Sequence, residues 1–127
     1  MNITEDYVSF EIAKLLKEKG FDEKVSTHYL VHPSGFPEFF DKKDEFPEPE
    51  DVWLKCPTHQ MAMKWLREVH NIFIEIGVSI DLNGDYHFGY TILDKECKYV
   101  RRGYTFFDWS YEDAVEAALE YCLEILI

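Results

Sequence analysis

Alternating apolar and polar residues form the clearest pattern in this chain, between residues 72 and 82. The apolar positions are Ile72, Ile74, Ile76, Val78, Ile80 and Leu82. The positions between them are Phe73, Glu75, Gly77, Ser79 and Asp81. A period of two residues is typical of a β-strand that buries one face. We therefore predict a half-buried strand here.

The turn after this strand can be predicted down to its register. A two-residue loop at Asn83 and Gly84 would place the isoleucines opposite His87 and Gly89. A three-residue loop over residues 82–84, with Gly84 as a left-handed bulge residue, places them opposite apolar residues instead. The second register pairs Ile80 with Tyr86, Val78 with Phe88, Ile76 with Tyr90 and Ile74 with Ile92. Burial of one apolar face favours this bulged turn.

The same register places Gly77 opposite Gly89 on the other face of the hairpin, which predicts a shallow notch there. The notch is flanked by Ser79, His87, Glu75 and Thr91. Facing glycines let another chain or a ligand approach closely, or they reflect only a strongly twisted hairpin. Both interpretations stay open at the level of sequence.

Three segments have the apolar spacing of amphipathic helices. The first covers residues 9–19, with Ser9 as its N-cap and Gly20 at its end. The second follows Thr58 and ends near residues 70–71, and the third follows Ser110. A short strand is predicted at residues 25–31, a turn near residues 94–97 and a third meander strand, of open register, over residues 98–106.

A segment rich in proline and aromatic residues, which we call the arm, covers residues 33–57. It contains all five prolines of the chain together with Phe36, Phe39, Phe40, Phe46 and Trp53. Proline at this density excludes a regular helix or a central strand. The aromatic rings either cap the edge of the core or present themselves to another molecule.

These elements predict a single α+β domain over residues 1–127. Its centre is an antiparallel β-meander of three to four strands, the fourth being residues 25–31. About three helices cover one face of the meander, which gives two layers. A chain of 127 residues with 46% hydrophobic residues is large enough to bury its own core.

Charge and cysteine content exclude several classes of function. A net charge of −12 disfavours direct binding to nucleic acid, unless Arg101 and Arg102 form a local patch. No apolar run approaches the roughly 18–20 residues that a membrane span requires. Three cysteines without a Cys-x-x-Cys spacing, and a polar start to the chain, predict a reduced, cytoplasmic protein.

The last helix carries a glutamate every fourth residue: Glu112, Glu116, Glu120 and Glu124. Like charges at this spacing repel by about 0.2–0.5 kcal/mol per pair. The ladder therefore indicates a need for solubility, a partner or a tertiary counter-charge. We predict that these glutamates, with Phe39, Phe40 and Trp53 of the arm, bind a protein partner with a basic or apolar surface. An edge strand of the meander could also pair with a second copy, so a homodimer is a further hypothesis.

Histidine and cysteine residues suggest little chemistry. His28 and His32 stand about 13 Å apart on a strand, which is too far to hold one metal ion. Cys56 lies near a helix N-terminus, which can acidify a thiol, and His59 is a base candidate by sequence proximity alone. No catalytic residue, metal site or cofactor is assigned from the sequence.

Several segments resemble a family of short uncharacterised proteins that recur in Bacteroidetes genomes and in their phages or mobile elements. The resemblance rests on residues 8–11, 13–21, 56–58, 65–70 and 110–114. It implies an accessory protein of phage or mobile-element type and supplies no catalytic residues.

Three hypotheses for the function follow. The first is a small non-catalytic intracellular protein that binds a protein partner through the acidic helix or the arm. The second is a DNA mimic that inhibits a nucleic-acid enzyme, since helix carboxylates can imitate phosphate spacing. The third is a small enzyme with a pocket around Cys56, His59 and His87.

Overall fold

The computed structural model has an α+β fold and describes residues 3–31, 37–40, 52–103 and 109–127. Its internal contacts group the chain into two compact units, Met1–Thr58 and His59–Ile127. The single domain over residues 1–127 stays a prediction, because two compact units can belong to one domain.

The first unit contains helix α1 (Phe10–Glu18) and strands β1 (His28–Val31), β2 (Glu38–Phe40) and β3 (Val52–Lys55). The strands form an antiparallel sheet in the order β2-β1-β3, and α1 contacts β3. Both ends of α1 follow the predicted capping chemistry. The Ser9 hydroxyl accepts a hydrogen bond from the Ile12 amide at 3.2 Å, and the Phe21 amide donates to the Leu16 carbonyl at 2.9 Å.

The prediction that residues 25–31 form a fourth strand of the meander was wrong. β1 pairs with β2 on one side and with β3 on the other, so both of its edges are occupied by strands of the arm. β2 and β3 are the two edges of this sheet, and Pro37, directly before β2, and Pro57, shortly after β3, both lie outside the strands. The arm therefore builds a sheet of its own around β1.

The second unit contains helix α2 (His59–His70), strands β4 (Phe73–Ile80), β5 (Tyr86–Leu93) and β6 (Tyr99–Gly103), and helix α3 (Tyr111–Tyr121). The strands form the predicted antiparallel meander in the order β4-β5-β6. α3 packs against all three strands, and α2 packs against β4 and α3. The fully buried side chains include Leu66, Ile92, Val115 and Leu119, so the core lies between the two helices and one face of the sheet.

The hairpin of β4 and β5 has the predicted register. Its pairs include Ile80 with Tyr86, Val78 with Phe88, Ile76 with Tyr90, Ile74 with Ile92 and Gly77 with Gly89. The turn is also the predicted one: the Asp81 amide donates to the Asp85 carbonyl at 3.0 Å, and Gly84 has a φ of +84°.

The second turn of the meander has the same construction as the first. The Asp94 amide donates to the Lys98 carbonyl at 3.0 Å, and the Cys97 amide donates to the Asp94 carbonyl at 3.0 Å. Cys97, with a φ of 60°, occupies the position that Gly84 holds in the first turn. β6 then pairs Arg101 with Ile92 and Tyr99 with Leu93, with a bulge between these pairs.

Replacing Gly84 with alanine is expected to lower the free energy of unfolding by about 1 kcal/mol, since a left-handed conformation costs a side chain with a Cβ roughly 1–2 kcal/mol. Gly84→Asn is the matched control, because asparagine tolerates this conformation better. Urea unfolding of the two variants measures the difference. Equal stability of Gly84→Ala and the original chain would contradict the bulged turn.

α3 begins with the predicted N-cap and ends in a wider helical turn. The Ser110 hydroxyl accepts from the Asp113 amide at 3.1 Å, and the Asp113 carboxylate accepts from the Ser110 amide at 3.0 Å. The helix widens into a π-helical turn over Cys122–Leu126. In this turn Leu123 is buried, whereas Ile125 is 63% exposed.

Candidate functional site

The glutamate ladder of the last helix is not one uniform exposed surface. Glu120 and Glu124 are exposed, whereas Glu112 and Glu116 are half-buried. Its role in binding a partner therefore stays a prediction for all four residues, and the two exposed carboxylates are the more accessible ones.

Glu116 has a tertiary partner, His59, the first residue of α2. The Glu116 carboxylate accepts a hydrogen bond from His59 Nε2 at 3.0 Å, and the His59 side chain is only 6% exposed. His59 Nδ1 is buried and has no hydrogen-bond partner among the described residues. The hydrogen bond to Glu116 therefore satisfies one nitrogen of a nearly buried ring. Glu116 thus has a structural role within the glutamate ladder.

The arm residues predicted to bind a partner lie in the first unit. Phe39 in β2 is 45% exposed and contacts the rings of Tyr7 and Tyr29, with centroid distances of 5.0 and 5.8 Å. Phe40 also belongs to β2, but its side chain and those of Phe36 and Phe46 lie outside the described residues.

Trp53 in β3 is half-buried and lies edge-on to the His28 ring at 5.6 Å. It lines a small hollow of about 140 Å³ together with Ala13, Lys17, Phe21, Asp22 and Lys55. The Lys55 ammonium donates to the Asp22 carboxylate at 2.9 Å across this hollow. The described aromatic residues of the arm thus pack partly against their own unit, as the interpretation of rings capping the core edge expects.

A large apolar surface is exposed at the turn end of the β4–β5 hairpin, which the sequence did not predict. Val78 and Ile80 are each 60% exposed, Tyr86 is 65% exposed and Leu82 in the turn is fully exposed. Val78, Ile80 and Tyr86 lie on the face that the helices cover further along the strands. We call these four residues the exposed hairpin end.

The position of the helices along the strands explains this surface. Since the helices begin their cover at the opposite end, at the buried Ile92, they leave the turn end of the hairpin open. No sequence signal indicated it, because the alternation along a strand does not say how far a helix covers it.

The predicted notch on the outer face of the meander is present as an open groove of about 260 Å³. Gly77 and Gly89 form its floor, and Ser79, His87, Thr91 and Arg102 are among its other lining residues. A Cβ atom at Gly77 would meet nothing within 4 Å, and its φ is not in the left-handed region. The packing of a single chain therefore does not require glycine at this position.

At one end of the groove, His87 is fixed by the turn. His87 Nε2 donates to the Asp81 carboxylate at 2.7 Å. The same carboxylate accepts from the backbone amides of Asn83 and Asp85, at 2.8 and 3.0 Å. These hydrogen bonds, the one from His87 first, hold the pKa of the Asp81 carboxyl below its ordinary value of 3.8.

Acid is expected to destabilise the hairpin because it protonates the Asp81 carboxylate. Because the pKa of Asp81 is lowered in the folded chain, its contribution to stability is present above the ordinary value of 3.8 and is lost as the pH falls through the lowered pKa. Urea midpoints measured from neutral pH down to acid should therefore fall less steeply for Asp81→Asn than for the original chain. Asp85→Asn is the control from the same turn. An unchanged acid dependence in Asp81→Asn would contradict this role.

The two adjacent arginines lie on opposite faces of the meander. Arg101 Nε donates to the Tyr90 hydroxyl at 3.3 Å, and its guanidinium lies 4.6 Å from the centre of the Tyr121 ring. Arg102 lines the outer groove and donates to the Tyr99 hydroxyl at 2.6 Å. The pair does not form the local basic patch that a direct contact with nucleic acid would need.

The two histidines of the hypothetical Cys/His pocket, His59 and His87, do not share one site. His59 lies on the helical side of the meander, whereas His87 lies on the outer face beside the groove. Cys56 in the first unit is fully buried, and its thiol donates to the Val8 carbonyl at 3.4 Å. Burial raises the pKa of the Cys122 thiol to about 12, so this thiol stays protonated.

Within residues 3–31, 37–40, 52–103 and 109–127, no cluster of three or more His, Cys, Asp or Glu side chains could hold a metal ion. No helix in the same ranges has the length and apolar character needed to cross a membrane.

No protein-family model, curated protein or solved structure shows a significant match to this chain. The resemblance to short proteins of Bacteroidetes and their mobile elements therefore stays a prediction, and the functional argument depends on the surface of the molecule.

Proposed function

We propose that this chain is a small non-catalytic protein-interaction module, and that the exposed hairpin end is its contact surface. The observation that carries the proposal is the exposure of Val78, Ile80, Leu82 and Tyr86 at one end of an otherwise covered sheet face. Contiguous apolar surface of this kind on a folded chain marks interaction sites. An aromatic ring among aliphatic side chains is also typical of the centre of a protein interface.

The acidic helix is the second part of the proposed surface. Glu120 and Glu124 are exposed and can attract a partner with a basic surface, at a range limited by salt to about 8–10 Å. Exposed charges of this kind act mainly on the rate and specificity of association, whereas buried apolar contacts supply most of the affinity. The hairpin end therefore ranks above the glutamates as the main contact.

The DNA-mimic alternative is less well supported than the binding module. A mimic needs a row of exposed carboxylates, and the middle of the ladder contains Glu116, which contacts the buried His59. Two exposed glutamates on one helix give a short imitation of a phosphate backbone.

An intracellular accessory role, of phage or mobile-element type, belongs to the same proposal. The resemblance described above supports it, together with three free cysteines, of which Cys97 is exposed. Free thiols are common in reducing compartments such as the cytoplasm.

Site-specific photo-crosslinking in cells tests the contact surface. A photo-reactive amino acid replaces Ile80 in one variant, Arg102 in a second and Glu120 in a third, so that the outer face and the acidic helix serve as controls. The proposal expects a defined protein adduct at Ile80 and none of the same size at Arg102. Adducts at Glu120 alone would move the contact to the acidic helix, and no adduct at either position would overturn the proposal.

A further inference from the structure

β4 is an edge strand of the meander in the described part of the chain, because the sheet order is β4-β5-β6. Amide groups alternate in direction along an antiparallel strand. Since the Asp81 amide points to β5, so do the amides of the odd-numbered residues before it. The amide and carbonyl groups of Ile74, Ile76, Val78 and Ile80 therefore point to the open side of the sheet.

β4 itself lacks the features that usually protect an edge strand from pairing with another strand. Natural edge strands are commonly short, bulged or interrupted by lysine or proline. β4 is eight residues long, contains neither lysine nor proline, and has Glu75 as its only charged residue. Its eight pairs with β5 form an unbroken ladder, without a bulge.

Burial falls along β4 from its start to the turn. Ile74 and Ile76 are half-buried, whereas Val78 and Ile80 are each 60% exposed. One half of the apolar side of this edge strand is thus covered by the chain itself, and the other half is open.

These properties make β4 complementary to itself. If two copies of β4 pair antiparallel about Gly77, Val78 of each lies opposite Ile76 of the other, and Ile80 lies opposite Ile74. The half-covered part of one copy then lies beside the open part of the other, and cross-strand apolar pairs of this kind stabilise a sheet. Even-numbered residues of one copy lie opposite even-numbered residues of the other. The apolar faces of both copies therefore lie on the same side of the joined sheet.

Charge and backbone space agree with this register. Glu75 of each copy falls opposite Ser79 of the other, so no like charges face each other along the strand. Gly77 falls opposite itself, at the point where two backbones approach most closely. A glycine inside a strand often marks such an approach. This approach gives Gly77 a role that the packing of one chain does not provide.

We infer that the partner of the exposed hairpin end is a second copy of this chain, which pairs with it through β4 in the antiparallel register centred on Gly77. The two meanders form one continuous six-stranded sheet. The inference rests on the proposed function, because it names the partner of Val78 and Ile80, the two residues of the exposed hairpin end that belong to β4.

Val78→Pro tests this pairing. The amide of residue 78 points away from β5, so proline at this position leaves the hydrogen bonds of the hairpin in place and removes a donor from the open edge. Sedimentation velocity of the full chain is expected to give a dimer for the original sequence and half that mass for Val78→Pro. Ile125→Lys is the control, since Ile125 is equally exposed but lies at the end of the last helix, and this variant should stay dimeric.

A second variant covers the case in which Val78→Pro does not fold. Val78→Lys keeps the backbone amide and places a charge on the edge; it is expected to lose the dimer as well. A dimer that persists in folded Val78→Pro or in Val78→Lys would overturn the inference.

The crosslinking experiment separates this inference from the proposed function. If the original chain is a monomer and residue 80 crosslinks to a different protein, the inference of a second copy is wrong, but the proposed interaction surface is supported. If the chain is a monomer and residue 80 forms no adduct, both fail.

Discussion

Gly103→Ala is expected to lower the free energy of unfolding by about 1–3 kcal/mol, the usual range for an overpacked core. Gly103 is buried opposite Tyr90, and a Cβ atom on it would overlap the Tyr90 ring. That ring cannot move aside easily, because it is 5% exposed and stacks on Trp109 with a centroid distance of 6.1 Å. The Tyr90 hydroxyl also accepts the hydrogen bond from Arg101.

Gly77→Ala is the matched control for this substitution. Both residues are strand glycines with ordinary φ angles, but a Cβ atom at Gly77 meets nothing within 4 Å. In protein too dilute to dimerise, its effect should stay within about 0.5 kcal/mol, as for most surface changes. Urea unfolding of both variants gives the comparison, and equal losses would show that the place of Tyr90 in the core is wrong.

Glu116→Lys is expected to destabilise the fold by about 1–3 kcal/mol, the cost of leaving a buried polar group without its partner. His59 is nearly buried and bonds to the Glu116 carboxylate at 3.0 Å, so the substitution removes that acceptor and places an ammonium group beside the ring. Glu120→Lys, one helical turn later and exposed, should change stability by less than about 0.5 kcal/mol.

Glu116→Gln refines the same test, because an amide oxygen can still accept the hydrogen bond from His59. It should lose less stability than Glu116→Lys. Thermal unfolding of the three variants measures the order, and equal effects of Glu116→Lys and Glu120→Lys would contradict the buried contact. A loss of partner binding in Glu116→Lys could therefore come from a loss of stability. Charge reversal at Glu120 and Glu124 tests the acidic surface without this effect.

Local chemistry made much of the second unit predictable from sequence. Burial of one strand face leaves one register for the β4–β5 hairpin in which apolar residues oppose each other, and Gly84 supplies the left-handed residue that this register needs. The helix starts at Ser9 and Ser110 follow from hydroxyl groups placed before an apolar stripe.

Features that depend on distant parts of the chain could not be predicted. The second turn repeats the first, but Cys97 replaces the glycine that would have signalled it, so the register of β6 stayed open. The contact between His59 and Glu116 joins residues 57 positions apart. β2 and β3 are too short, at three and four residues, to show a period of two.

The exposed hairpin end also depends on how distant parts of the chain pack together. The alternation of residues 72–82 predicts which face is apolar, but it does not say how far the helices extend along that face. The candidate contact surface therefore became visible only when the positions of α2 and α3 on the meander were known.

Salt gives a way to tell the two parts of the proposed surface apart. Each copy carries a net charge of −12, so two copies repel each other, and added salt should strengthen a dimer held by β4. A basic partner held by Glu120 and Glu124 should instead dissociate as salt rises. Titration of the assembled mass with salt distinguishes these two cases.

Amide hydrogen exchange along β4, measured as a function of protein concentration, tests the central claim most directly. The amides of Ile76, Val78 and Ile80 point to the open edge, whereas those of Gly77 and Ser79 point to β5. We predict that the first group exchanges fast in dilute protein and slowly in concentrated protein, while the second group is protected throughout. Exchange of the first group that does not change with concentration would contradict the claim that β4 is the contact edge of this protein.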